Sequence, residues 1–167
     1  CGGGVCAACA TNHKCRAASD CASGVCQAKL CVPAAPTGMA LAENKWSVTA
    51  SNTFGSSDTR YIFDGDVTTR WTSGITQYPG MWVRLDMGQT EIFFSVVLTP
   101  HPDYPGDAGK AYNIYFSTDG SFGAPARTGV STQTISFGTA VVARYIKIEL
   151  AAGSDTWWSI GEMSVVQ

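Results

Sequence analysis

With 167 residues the chain has room for one full domain and a small satellite. Charged side chains make up only 14% and the formal net charge is −2, which leaves no basic field for neutralising a nucleic-acid backbone. No run of eighteen apolar residues occurs, so no helical membrane span is expected.

All seven cysteines, Cys1, Cys6, Cys9, Cys15, Cys21, Cys26 and Cys31, fall in the first 31 residues. A segment this poor in large apolar side chains cannot bury enough surface to fold unaided and needs cross-links or a metal. Cys6 and Cys9 have a zinc-knuckle spacing with His13 nearby, but no second such pair follows. The wider gaps favour three disulfides among Cys6 to Cys31, and with them an oxidising compartment. Cys1 is left over. It is either an acylated lipoprotein cysteine on a Gly2-Gly3-Gly4 tether or a cysteine whose partner lies upstream. The stretches Cys1 to Cys9 and Asp20 to Cys26 resemble a cysteine-rich module of secreted myxobacterial and related bacterial proteins. That module usually has a further cysteine upstream, which implies a chain cut from a longer secreted protein.

The region 32–38, Val-Pro-Ala-Ala-Pro-Thr-Gly, reads as a semi-rigid linker. Beyond it, residues 39–167 alternate with a period of two. Met81, Val83, Leu85 and Met87 share one strand face, with Arg84 and Asp86 on the other. Ile92 to Leu98 is a nearly continuous apolar run, expected to be a strand buried on both sides. Tyr112, Ile114 and Phe116 alternate with Asn113, Tyr115 and Ser117 before the Asp119-Gly120 turn. Ile146, Ile148 and Leu150 are expected inward, with Tyr145, Lys147 and Glu149 outward. No twelve-residue segment carries a helical period. The fold class is therefore all-β, a β-sandwich.

Two stretches carry the chemistry. Phe63-Asp64-Gly65-Asp66-Val67-Thr68-Thr69-Arg70-Trp71 concentrates carboxylate and hydroxyl oxygens around a glycine turn, and Trp157-Trp158-Ser159-Ile160-Gly161-Glu162 returns a lone glutamate near the end. Hard cations take such oxygen sets, although Ile75 stands where an EF-hand requires its glutamate. On spacing alone, a polar β-turn beside a buried Trp71 is the favoured reading. Catalysis has little support: His101 is the only histidine in 39–167, and the Gly-x-Ser-x-Gly motif is absent.

These two stretches, together with Gln77 to Gly88, Tyr112 to Gly120 and Ala143 to Ile148, resemble the discoidin or coagulation factor 5/8 type C family. Within it they are most similar to the family 32 carbohydrate-binding modules of secreted bacterial glycan-degrading enzymes. The resemblance covers roughly 39–167. It implies a jelly-roll sandwich of about eight main strands with adjacent termini, and a non-catalytic, extracellular binding module attached to a larger protein. It also implies a structural Ca²⁺ held by the Asp64 and Glu162 carboxylates, the Tyr61 and Asp66 carbonyls, and Thr69, with the Gly161 carbonyl completing the shell.

The expected partner is a carbohydrate, either a polysaccharide such as a glucan or a glycan end bearing galactose or an amino sugar. Its binding loops would carry Tyr78, the segment His101, Asp103, Tyr104, Asp107 and Lys110 on a proline-stiffened frame, and Trp157. Of Trp157 and Trp158, the first follows the polar Gly153 to Thr156 loop and is expected to be exposed as the sugar platform. Pattern also makes His101, between two prolines, an exposed loop residue. The galactose-type arginine of the family is missing: Gly106 stands where some relatives have it, and Lys110 comes four residues later. Acidic residues beside the loop aromatics disfavour an anionic membrane. Protein–protein adhesion or surface assembly is the alternative role.

Overall fold

The structure, a computed structural model, describes residues 38–167 together with Arg16, Cys26–Gln27 and Leu30–Cys31. The chain divides into two compact units, Cys1–Met39 and Ala40–Gln167. In the first, strands β1 (Cys26–Gln27) and β2 (Leu30–Cys31) pair antiparallel and set Cys26 opposite Cys31 along the backbone. The cysteine side chains, and with them the expected bridges, the state of Cys1 and the linker up to Thr37, lie outside the described residues.

The second unit has eight strands: β3 (Ser47–Ala50), β4 (Trp71–Gln77), β5 (Trp82–Thr99), β6 (Tyr112–Ser117), β7 (Arg127–Val130), β8 (Thr134–Leu150), β9 (Ser154–Ile160) and β10 (Glu162–Val166). Two 3-10 turns, Thr59–Ile62 and Pro105–Asp107, interrupt the loops. Six strands form one antiparallel sheet in the order β10-β5-β8-β6-β7, with β3 also on β5. The remaining two, β4 and β9, form a separate antiparallel ribbon.

One strand can serve two neighbours on one side because β5 is long and irregular. Its first part, Ala50↔Val83 to Ser47↔Asp86, pairs with β3, and its last part, Ser95 to Thr99, pairs with β10. Register shifts against β8 fall between these parts. Such shifts bend a strand and raise its twist, so β5 and β8 curve around the core. The shift between Phe93 and Ser95 also lets Phe93 and Val96, three residues apart, both face inward. Ile92 is 54% exposed, so the Ile92 to Leu98 run is buried on one face and not on both.

The alternation read elsewhere holds. Met81, Val83, Leu85 and Met87 are buried, as are Tyr112, Ile114, Ile146, Ile148 and Leu150. Trp71 and Trp158 meet edge to face at 5.3 Å and pin the ribbon onto this core, with Tyr112 beyond Trp158 at 6.4 Å. On the other face of the sheet, cations cover aromatic rings. Lys147 stacks on Tyr115, Arg84 on Tyr145, and Arg144 pairs with Asp86 at 2.8 Å. The ends of the unit are paired as well: Ala40 bridges Val166, and the Leu41 amide donates to the Val165 carbonyl.

Candidate functional site

The ribbon builds the site. Trp71 opposes Ile160 and Thr72 opposes Ser159, and the register then slips before Thr76 meets Trp157. Side chains alternate across a strand, so with Trp71 and Trp158 buried inward, Arg70, Thr72, Ser159 and Trp157 share the opposite face. Trp157 is 41% exposed and Trp158 fully buried, the division expected from sequence. Against Trp157 lies Phe54, 44% exposed, with ring centroids 5.4 Å apart and planes inclined by 32°. Phe54 is fixed by its amide, which donates to the Thr72 carbonyl at 2.9 Å. Gly74 has φ +71°, and a Cβ there would stand 2.9 Å from the Phe54 side chain, so glycine at the slip is what admits the ring. Tyr78 is also exposed, and its hydroxyl donates to Asn52 at 3.0 Å.

The loop between β5 and β6 crosses the same face. The Arg70 guanidinium lies 3.5 Å over the centre of the Tyr104 ring and binds the Asp107 carboxylate at 2.9 Å. Gln77 donates to the Asp107 and Trp157 carbonyls, and the Thr156 hydroxyl donates to the Gly106 carbonyl at 3.2 Å. Lys110 donates to the same carbonyl at 3.1 Å. Asp103 and Tyr104 are exposed.

His101 corrects the sequence expectation: it is buried, 7% exposed, and not a free loop residue. Its Nδ1 accepts from the Asp103 amide at 3.1 Å, so the proton sits on Nε2, which donates to the Thr68 carbonyl at 2.8 Å. The ring therefore clamps the β5–β6 loop to the loop ahead of β4, and neither nitrogen is open to a sugar hydroxyl. Flanking prolines signal an exposed loop, but they say nothing of an acceptor some thirty residues earlier in the chain.

Buried polar atoms cluster on the same ribbon. Thr72 Oγ1, Ser159 Oγ, Gln77 Oε1 and Trp158 Nε1 have no protein partner among the described residues. Thr72 and Ser159 oppose each other between Arg70 and Trp157, and both are buried, so the ribbon is covered between the cation and the indole.

The oxygen cluster foreseen around Asp64 is assembled across 97 residues. Glu162 Oε2 accepts from the Gly65 amide at 2.8 Å, and Oε1 from the Met163 amide at 3.1 Å. The Thr69 hydroxyl lies 2.8 Å from Asp64 Oδ2 and 2.9 Å from the Asp66 carbonyl. The Asp66 carboxylate accepts from Thr68 through Oδ1, while its carbonyl accepts from Thr69. Tyr61 lies in the 3-10 turn ahead of this loop, and the Gly161 amide donates to Thr99. Burial, then the charges of Glu43 and Asp64, push the Glu162 carboxyl up to about 7, and Glu43 is raised by burial and by Asp64.

Three acids thus crowd one place. Among the described residues, no three carboxylate, histidine or cysteine side chains converge closely enough to hold one ion. Carbonyl and hydroxyl oxygens would have to supply the rest, and the spacing suits them. Neighbouring oxygens around a Ca²⁺ at 2.3–2.6 Å stand roughly 2.8 Å apart, as Thr69 Oγ1 does from its two neighbours. The residues present fit a hard cation.

Residues 47–163 match the F5/8 type C domain. The chain belongs to this family. Over 147 residues it is 28% identical to galactose oxidase from Gibberella zeae, aligned over 80% of this chain, yet it spans only 21% of the length of that enzyme. Among solved structures it is similar to the family 32 module of AlyQ in complex with 4,5-unsaturated mannuronic acid. That pair has 29% identity and a TM-score of 0.55, covering 71% of this chain and 92% of that module. It is also similar to chitosan-binding module 1 of a chitosanase/glucanase from Paenibacillus sp. IK-5. There the identity is 25% and the TM-score 0.65, over 78% of this chain and all of that module.

In this F5/8 type C unit, sequence reasoning missed Phe54, Arg70, Asn52, Thr156 and Glu43. Phe54 looks like any core aromatic, and Arg70 like a solvent-facing neighbour of Trp71. Only the pairing of β4 with β9 brings them to Trp157 and Tyr104.

Proposed function

We propose that the F5/8 type C unit is a non-catalytic carbohydrate-binding module, with the exposed Phe54–Trp157 pair as its sugar platform. Pyranose rings present apolar C–H faces and a rim of hydroxyls, and two adjacent exposed rings take such a face where the surrounding groups are polar. Tyr78, bonded to Asn52, and the β5–β6 loop with Asp103, Tyr104 and Lys110 add polar and aromatic groups to the same end of the unit. Asp107 is tied to Arg70 and acts by holding the loop, and His101 acts as the clamp beneath it. Fixing the loop in this way lowers the ordering cost of binding.

Charged groups of both signs, Asp103 and Asp155 against Lys110, suit a charged glycan. The uronic-acid and chitosan ligands named for the two similar modules are of that class. Hydroxyls exchange water for protein with little net gain, so a single site holds its sugar at roughly 4–7 kcal/mol, millimolar to tens of micromolar. Retention on a polymer then comes from neighbouring modules. The larger protein is secreted or surface-bound, and this unit attaches it to glycans.

A calcium ion is part of this reading. Asp64, Glu162, Thr69 and the Asp66 carbonyl would hold it, with the Tyr61 and Gly161 carbonyls as further ligands. Bound there, the ion supplies charge neutralisation for the three acids and ties the loop ahead of β4 to the start of β10. The binding reading is tested by titrating chitosan, alginate and pectin oligosaccharides against tryptophan fluorescence, with Trp157→Ala as the variant. Wild-type binding that Trp157→Ala weakens at least about tenfold supports the site. Equal binding by both moves the site elsewhere, and no binding across a broad glycan panel favours protein adhesion.

A further inference from the structure

We infer that the site takes an internal stretch of a polysaccharide chain across two separate aromatic platforms, and not a single terminal sugar; this rests on the carbohydrate-binding reading above. The first platform is Phe54–Trp157. The second is Tyr104, 48% exposed, its far side covered by the Arg70 guanidinium at 3.5 Å and its edge flanked by His101 with centroids 5.3 Å apart. Tyr104 is thus a ring held from behind, with one face left for a ligand.

The two platforms look out from the same side of the ribbon. Trp157 is two positions from Ser159, Ser159 opposes Thr72, and Thr72 is two positions from Arg70, which carries Tyr104. Four strand positions therefore separate the two anchoring residues, roughly 13 Å along the ribbon. A single pyranose, about as wide as one aromatic ring, does not span that distance. The platforms are distinct, because among the described residues no ring contact joins Tyr104 to Phe54 or Trp157. They are also fixed relative to each other. Thr156, next to Trp157, holds the Gly106 carbonyl, and Gln77 binds both the Trp157 and Asp107 carbonyls. A rigid spacing between two stacking surfaces selects a chain that can lie on both.

The second platform differs in charge from the first. Arg70 is matched by Asp107, so the Tyr104 end carries a neutralised cation–carboxylate pair, and Lys110 is anchored on the adjoining Gly106 carbonyl. Phe54 and Trp157 make the other end apolar and exposed. The ligand class is an extended oligosaccharide whose rings stack at both ends of the ribbon face.

The test is a length ladder. Mono- to hexasaccharides of glucosamine, mannuronate and galacturonate are titrated calorimetrically against wild type, Tyr104→Ala, Tyr104→Phe and Trp157→Ala, with thermal melts confirming that each variant is folded. Wild-type affinity should rise about tenfold or more between the monosaccharide and the tetrasaccharide of the series that binds, and then level off. Tyr104→Ala should flatten that rise to less than about threefold, and Tyr104→Phe, which keeps the ring, should restore it. Trp157→Ala should weaken every length. A wild type that binds the monosaccharide and the tetrasaccharide equally overturns the two-platform inference while leaving carbohydrate binding intact. So does a rise that Tyr104→Ala leaves unchanged. Failure of wild type to bind any member of the three ladders is a different result, which removes the parent reading for these sugars and this inference with it.

Discussion

Gly161 joins β9 to β10, and replacing it with alanine, which keeps the Gly161 carbonyl, should loosen the loop it supports. A Cβ at this position would stand 2.9 Å from the His101 amide nitrogen, 3.1 Å from His101 Cα and 3.1 Å from the Thr99 carbonyl oxygen. All three are backbone atoms, so no rotamer change relieves the contact. Carbon contacts are comfortable from about 3.5 Å, so the strand end has to give by roughly half an ångström and strain the 2.9 Å bond from the Gly161 amide to Thr99. Overpacking of this kind costs about 1–3 kcal/mol. The stiffer unfolded chain returns about 0.4–1 kcal/mol. At the middle of these ranges the net loss is about 1.3 kcal/mol, which lowers the urea midpoint by roughly 0.6 M at an m-value near 2 kcal/mol/M. Gly123→Ala is the control, since its Cβ would meet nothing within 4 Å. It should be neutral or slightly stabilising. Urea unfolding followed by tryptophan fluorescence reads both variants. A Gly161→Ala midpoint equal to wild type, or above it, would refute the packing argument.

Burial pushes the Tyr112 hydroxyl up to about 12. Its folded value exceeds the unfolded one, so the associated stability is complete below about pH 10 and is lost as pH rises through 12, on the order of a few kcal/mol in all. Tyr112→Phe should flatten that alkaline decline in denaturant melts between pH 9 and 12, and an unchanged slope would contradict it. Calcium at a hundredfold excess over its dissociation constant should stabilise the unit by about 2.7 kcal/mol. Chelator should lower the melting temperature of wild type but not of Asp64→Ala, and equal chelator sensitivity of the two would remove Asp64 from the site. His101→Leu strips the partner from the Thr68 carbonyl and the Asp103 amide and should cost about 2–4 kcal/mol. His101→Gln, which keeps a donor toward Thr68, should recover part of it in the same melts.

Strand identity was legible because a half-buried strand writes its two faces into alternate residues, as at Met81 to Met87 and at Ile146 to Leu150. The rule weakens where a register shift intervenes. At Phe93 the shift moves Val96 into phase with it and leaves Ile92 outside, and no residue type announces that. The acid and threonine around Asp64 were readable as oxygen donors, and their meeting with Glu162 followed only from the family resemblance. Trp157 could be told from Trp158 by the polar loop before it. Phe54 and Arg70 could not be read as site residues, because their partners are chosen by pairing across the ribbon and by a loop that crosses it. His101 shows the opposite error: its local sequence says surface, and its two hydrogen bonds say interior.

The pairing of Ala40 with Val166 gives the unit a mechanical character. Both ends leave from neighbouring points on β10, the strand that begins at Glu162 beside the acid cluster. Tension applied through these ends runs across the pairing between them, so it opens the contacts in sequence, like a zipper, from the Ala40–Val166 bridge to the Leu41–Val165 hydrogen bond. Shear would have to break them together. A cation bridging Glu162 to Asp64 would hold the other end of the same strand. On the proposed reading, an anchor pulled by its glycan would then yield first at the Ala40–Val166 end, with the Phe54–Trp157 face still folded.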